Sequence, residues 1–333
     1  MILLWIGFIV IVLLLLAFDL GVLNRKSHVV SIKEALAWTA FWVLLSLGFN
    51  VVCYFMYENH WFGLGFSSIA ETSGRQAALQ FLTGYIIEKS LSLDNIFVIA
   101  LIFNYFQVPA QYQHRVLFWG ILGALIMRGT MIAAGTVLIS HFDWIIYVFG
   151  GLLILSAIKM MFDRHDNKDL DKNIIVRYAK RVFPVAPHYE KERFFTRING
   201  RKAITPLFLA LIVVEGADVI FAVDSIPAIF AITLDPFIVF TSNVFAILGL
   251  RSLYFALAAI MDRFYYLKAS LVVLMAYVGV KMLISHYIKI PTGLSLAIIG
   301  GILLSGILAS SLKRKNEIRR IQIDGKDFYE KTT

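Results

Sequence analysis

Charge is scarce in this chain. Of its 333 residues only 16% are Asp, Glu, Lys or Arg, against roughly a quarter in an ordinary soluble domain. That excludes a soluble enzyme. Cysteine is reduced to Cys53 alone, which rules out an internal disulfide and a thiolate metal cluster. The beginning, Met1-Ile2-Leu3-Leu4-Trp5, has no basic stretch, and no small-residue cleavage site follows the first apolar run, so that run is expected to remain as a first helix. What the chain has in abundance is apolar surface: 59% hydrophobic residues, 27 of them Phe, and a mean hydropathy of +0.77.

The apolar residues form about nine runs, each near the roughly 20 residues that cross a bilayer as a helix. They lie near 2–23, 36–57, 79–103, 115–139, 144–162, 204–232, 237–260, 266–286 and 293–312. The expected fold is an all-α polytopic membrane protein. Its parts are two N-terminal helices (1–78), a three-helix unit (79–162), a basic loop (163–203), a second three-helix unit (204–286), a last helix (287–312) and a basic tail (313–333).

The net charge of +9 is concentrated in connecting segments. Arg25, Lys26 and Lys33 follow the first run; Lys172, Arg177, Lys180 and Arg181 lie in the central loop; Lys313, Arg314 and Lys315 follow the last run. By the positive-inside rule this predicts the N-terminus outside and the C-terminus in the cytoplasm, with anionic lipid rather than nucleic acid facing the basic loops. His165 and His188 in the loop have no partner at metal-ligand spacing and are expected in water.

A carboxylate near the bilayer centre costs a few kcal/mol and persists only where it faces protein, water or an ion. The third run reads Glu88-Lys89-Ser90-Leu91-Ser92-Leu93-Asp94-Asn95. The sixth reads Glu215-Gly216-Ala217-Asp218, continuing to Asp224-Ser225-Ile226-Pro227. Aligning Asp94 with Asp224 places Glu88 on Asp218 and Asn95 on Ser225. Arg128 then answers Arg251, and Lys159-Met160 answers Lys281-Met282, at offsets of 130, 123 and 122 residues. With the third run pointing inward and the sixth outward, the three-helix units form an inverted repeat, a common plan of secondary transporters with substrate at the repeat interface.

At about 100° per residue Glu88 and Asn95 share a helix face, as do Glu215, Asp218 and Ser225, whereas acids six apart diverge by about 120°. Gly216 and Pro227 therefore suggest local unwinding of the sixth run. Glu88, Asp94, Asn95, Asp218, Asp224 and Ser225 form an oxygen-only, acidic set suited to Mg²⁺, Ca²⁺ or Mn²⁺ over Zn²⁺ or Cu⁺. Glu215 and Asp19 are further candidates, although Asp19 and Asn50 also suit interhelical hydrogen bonds. Arg128 and Arg251 are placed to neutralise the carboxylates or gate them; the alternative is that acids and arginines are fixed ion pairs. Lys159 and Lys281, near run ends, are expected to snorkel.

These motifs resemble the TerC family of integral membrane proteins, especially its Alx-like branch. The likeness rests on Phe81-Leu82-Thr83-Gly84-Tyr85 followed by the Glu88–Asn95 motif, on Asp218 through Ala231, on Thr241-Ser242-Asn243 through Arg251, and on Phe18-Asp19-Leu20. The resemblance implies an inner-membrane exporter of manganese, not an enzyme, that protects cells from excess metal and feeds secreted proteins; older naming links the family to tellurite resistance. It also implies metal ligation by Glu88, Asp94, Asp218 and Asp224.

Two rival readings accompany it. Two aspartates on different helices suit an intramembrane aspartyl protease, but Glu215-Gly216-Ala217-Asp218 lacks its GxGD signature. A membrane partner that hands metal to secretory machinery through the central loop is the other.

Overall fold

Ten α-helices and one β-hairpin make up the described part of the computed structural model. That part covers residues 2–21, 31–66, 72–142, 144–162, 183–198, 200–258 and 266–330, with Arg177 and Arg181. The helices are α1 (Ile2–Gly21), α2 (Ile32–Glu58), α3 (Gly74–Tyr105), α4 (Ala110–His141), α5 (Ile145–Phe162), α6 (Pro206–Phe230), α7 (Pro236–Leu248), α8 (Leu250–Ala258), α9 (Leu267–Ile284) and α10 (Thr292–Glu330). Six are long and apolar enough to cross a membrane, or seven when the bent pair α7–α8 is taken as one span.

Helix starts follow from local chemistry. Ser31, Ser73, Thr205 and Asp235 each accept a backbone N–H of the first turn with the side chain, and Pro206 and Pro236 occupy first-turn positions where no donor is needed. Asp235 also accepts the Tyr57 hydroxyl at 2.8 Å, which joins α2 to α7.

The bundle is built around α3, which packs against α2, α6, α7, α8 and α10. Surrounded by protein, α3 can hold Glu88, Lys89 and Asp94 without presenting them to lipid, although those charges make it less apolar than the outer helices. The outer helices show the opposite division. In α1, Leu4, Phe8, Val12 and Leu16 are buried, whereas Ile6, Ile9, Val10 and Leu13 are exposed, as a helix with one face on the bundle and the other on lipid requires. Phe8 meets the rings of Phe237, Phe240 and Phe245.

Two expectations are corrected. The seventh run is not one straight helix: it breaks at Gly249 into α7 and α8, which bend by 42°. A Cβ at Gly249 would lie 2.9 Å from Lys89 Nζ and 3.0 Å from Trp42 Cβ, so only glycine lets α3 and α2 approach the break this closely. Lys89 Nζ donates to the Ala246 carbonyl at 3.0 Å, satisfying an acceptor at the end of α7. The sixth run, by contrast, is continuous through Gly216 and Pro227. Pro227 stands in the last turn of α6, so the hydrogen bond it forgoes ends the helix instead of splitting it. The last helix, α10, continues beyond its apolar part to Glu330.

Between α5 and α6, strand β1 (Phe195–Ile198) pairs antiparallel with β2 (Arg201–Ile204). Tyr189 donates to the Phe106 carbonyl at 2.7 Å, and burial pushes its phenol up to about 12, keeping it a donor. Arg115 pairs with Glu192 at 3.3 Å. These contacts tie the end of the loop to the α3–α4 corner. His188 is exposed, as expected for a solvated side chain; His165 lies outside the described residues.

The backbones of α5 and α9 approach most closely at Gly150 and Gly279, where a Cβ at Gly279 would sit 2.9 Å from the Gly150 carbonyl oxygen. Gly279→Val is expected to overpack this crossing and destabilise the protein by about 1–3 kcal/mol. The check is a lower unfolding temperature in detergent; an unchanged one would contradict the close approach.

Candidate functional site

Arg128, near the middle of α4, is 2% exposed and is gripped by carboxylates from two other helices. Its Nε donates to Asp218 Oδ2 at 3.1 Å and its Nη2 to Asp218 Oδ1 at 2.8 Å, a side-on bidentate pair with α6. Its Nη1 donates to Glu88 Oε1 of α3. Glu88 is fully buried, and its second oxygen accepts Asn243 Nδ2 of α7 at 3.1 Å. Ser225 Oγ stands 3.4 Å from the same Nη1. One guanidinium thus faces two carboxylates, and with both ionised the cluster carries one excess negative charge.

Helices α3 and α6 cross here in opposite directions. Gly84 lies beside Ile229, Glu88 and Ser225 meet around Arg128, and Asn95 and Ile99 share a cavity wall with Asp218 and Val214. Numbers rise along one helix as they fall along the other. The cavity, about 30 Å³, is also lined by Gly120 and Arg251, and it has room for about two waters. Asn95 is buried, and its Oδ1 has no hydrogen-bond partner among the described residues.

The comparisons with known proteins agree with this architecture. The family described as "Integral membrane protein TerC family" matches residues 73–317. The chain belongs to the TerC family. It is 49% identical over 313 residues to "Uncharacterized membrane protein STKORF319" of Myxococcus xanthus, covering 94% of this chain and 93% of the relative. It is 47% identical over 307 residues to "Putative membrane-bound redox modulator Alx" of Escherichia coli K12, covering 91% and 92%. The protein of that name from Salmonella typhi is 47% identical over 306 residues, covering 90% and 91%. No solved structure matches. The chain is therefore a multi-pass integral membrane protein.

Within this TerC protein, Glu88, Asn95, Asp218, Ser225 and Arg128 come together around the crossing of α3 and α6, while Asp224 turns to α5. Asp224 accepts the Ser156 hydroxyl of α5 at 2.5 Å, with Lys159 its nearby cation. Asp94 is half-buried, about 9 Å along α3 from Glu88 at 1.5 Å per residue. Glu215 fills the space beside Gly123 of α4, and its Oε2 has no partner among the described residues. Asp19 accepts Arg251 Nη2 at 2.5 Å, both side chains being buried. Among the described residues, no three His, Cys, Asp or Glu side chains converge as a group able to hold a metal ion.

Lys159 is exposed, as snorkelling requires, but Lys281 is only 8% exposed and lies inside the packing of α9. That expectation is corrected: Lys281 stands in the last turn of α9, near the helix end as expected, but its side chain is covered by protein and does not extend into the surroundings. Asn50 Oδ1 makes no hydrogen bond with the described residues. Asn243 and Ser156 are the residues that sequence reasoning passed over. Asn243 stood inside the Thr241-Ser242-Asn243 motif, a usable signal; Ser156, one serine in an apolar helix, gave none.

Removing Arg128 leaves two buried carboxylates with no cation between them. Arg128→Met is expected to destabilise the protein by about 3–5 kcal/mol, read as a lower unfolding temperature in detergent. Adding Glu88→Gln and Asp218→Asn to the same variant is expected to recover most of the loss. Equal stability of Arg128→Met and the unmodified protein would mean that the cluster is not held by charge.

Proposed function

We propose that this TerC protein is a carrier that exports divalent metal ions, with Mn²⁺ as its cargo, by alternating access in the bacterial inner membrane. The observation that carries the reading is the sharing of one arginine between Glu88 and Asp218, which brings two carboxylates from different helices to one guanidinium at the crossing of α3 and α6. A buried site of that kind favours an additional cation. Glu88, Asp94, Asn95, Asp218, Asp224 and Ser225 offer oxygen donors only, with Glu215 and Asp19 as further acids, and this donor set suits a hard divalent ion. The choice of Mn²⁺ over Mg²⁺ or Ca²⁺ rests on the family resemblance.

In this reading the two repeats rock about the crossing, Arg128 yields Glu88 and Asp218 to the entering ion, and Arg128 returns when the ion leaves. The carboxylates are free to take protons once the cation departs, so an inward proton flow is the natural counter-current. The N-terminus lies outside and the C-terminus in the cytoplasm, and the basic loops face anionic lipid, following the distribution of Lys and Arg. A carrier of a redox-active cation would also influence redox balance without a redox centre of its own, which accords with the name that the Escherichia coli relative bears. The protein has no enzymatic step in this scheme, and supply of metal to secreted proteins follows from export alone.

The test is Mn²⁺ flux in proteoliposomes of defined orientation, with and without a pH gradient, beside Mg²⁺ and Ca²⁺. Asp94→Asn and Asp224→Asn are each expected to lower Mn²⁺ flux at least about tenfold while leaving the protein folded and monodisperse. Full flux in both variants would sink the assignment, and the absence of flux from the unmodified protein for every ion would return the carboxylates to another role.

A further inference from the structure

The two offsets that align the halves together exchange the two sides of the site. The motif offset of 130 residues relates Glu88 to Asp218 and Asn95 to Ser225, and the offset of 123 residues relates Arg128 to Arg251 and Gly120 to Asn243. On one side, Arg128 is seated against Glu88 and Ser225, with Asn243 filling the space behind. On the other side, Asp218, Asn95, Gly120 and Arg251 line one cavity. The second seat therefore exists in outline but is open, because Gly120 has no side chain where the first half has Asn243. Arg251 already forms part of its wall, yet its guanidinium turns away to Asp19 on α1, a helix outside both repeats.

We propose that Asp19 and Asp218 are alternative anchors for Arg251, so that Asp19 is a positioning residue that keeps the second arginine off the cavity carboxylate in one state and releases it in the other. The inference builds on the carrier reading and deepens it. When Arg128 yields Asp218 to the cargo or to solvent, Arg251 crosses the cavity and takes the place that the repeat assigns to it, and Asp19 receives it again on the return. The two arginines then hold the carboxylates in turn. Arginine suits the task because it stays charged in both seats and carries a forked donor that fits either carboxylate.

The movement can be read without any metal. In a Cys53→Ala background, Ala217→Cys places one thiol on the cavity wall, and the full-length protein in detergent is treated with a cationic and a neutral methanethiosulfonate of similar size. A guanidinium entering the cavity slows the cationic reagent relative to the neutral one. Asp19→Asn is expected to lower the cationic-to-neutral rate ratio by about fivefold or more. Asp19→Glu should keep the starting ratio, and Asp19→Asn combined with Arg251→Gln should restore it. Should Asp19→Asn not fold, Asp19→Ser removes the same charge.

An unchanged ratio on loss of the Asp19 charge overturns the proposal, as does a fall that persists without Arg251, or a thiol that neither reagent reaches. A purely structural role for Asp19 would not be reversed by removing Arg251 as well. Mn²⁺ flux measured after reconstituting the same variants into proteoliposomes separates the two claims. Flux without the ratio change overturns this inference alone, whereas the ratio change without flux upholds it and overturns the carrier reading.

Discussion

The structure depends on a single buried guanidinium. Taking charges out of water costs several kcal/mol per ion, and the loss is offset only when geometry and further hydrogen bonds are good. Arg128 meets that condition by joining three elements: it belongs to α4, holds Asp218 of α6 with two nitrogens and Glu88 of α3 with a third. Asn243 brings in α7 through the other oxygen of Glu88. In a bundle whose outer surfaces face lipid, apolar packing does little to distinguish one helix register from another. The charge cluster does distinguish them, because sliding α3 along α6 by one turn would leave a carboxylate without its partner.

The same need for buried partners explains where the helices break. Backbone that departs from a helix at membrane depth must be buried in protein and have its polar groups satisfied. At Gly249 the surroundings are α2 and α3, and Lys89 answers the Ala246 carbonyl. Lys89 is the residue next to Glu88. The lysine and the glutamate on consecutive positions of α3 point to different neighbours, one to the end of α7 and the other to Arg128. A change at the carboxylate and a change in the α7–α8 bend therefore act on the same turn of helix.

Much of this could be read from the sequence because bilayer physics leaves strong marks. Long apolar runs set the helices, and acids within them identified the motif helices and the need for cations, of which Arg128 proved to be one. Less legible were features decided by neighbours distant in sequence. A run from Pro236 to Ala258 is apolar on average, so hydropathy reads it as one helix; the break at Gly249 depends on Trp42 and Lys89, which no window over that run contains. Pro227 resembled a mid-helix breaker only while the end of α6 was unknown. Ser156 acquires its meaning solely from Asp224, which lies 68 residues further along the chain.

What the alignment of motifs hides is that the two halves are not equal. Asn243 fills a space beside Glu88, whereas Gly120 leaves the corresponding space beside Asp218 open. One arginine lies in the site and the other is drawn off by Asp19. A carrier with two equivalent halves must adopt two states that differ by exchanging their conformations, and any single state must then be asymmetric. The asymmetry here resides in a few identifiable side chains, one of them on α1, outside the two units that the motif alignment pairs. Among the described residues, aromatic contacts of Trp5, Phe8 and Phe18 and the Asp19–Arg251 ion pair hold α1 to the bundle, and the ion pair is at the residue that the second arginine must leave. In the proposed cycle α1 is thus not a spectator of the rocking units but the element that makes the two arginines unequal.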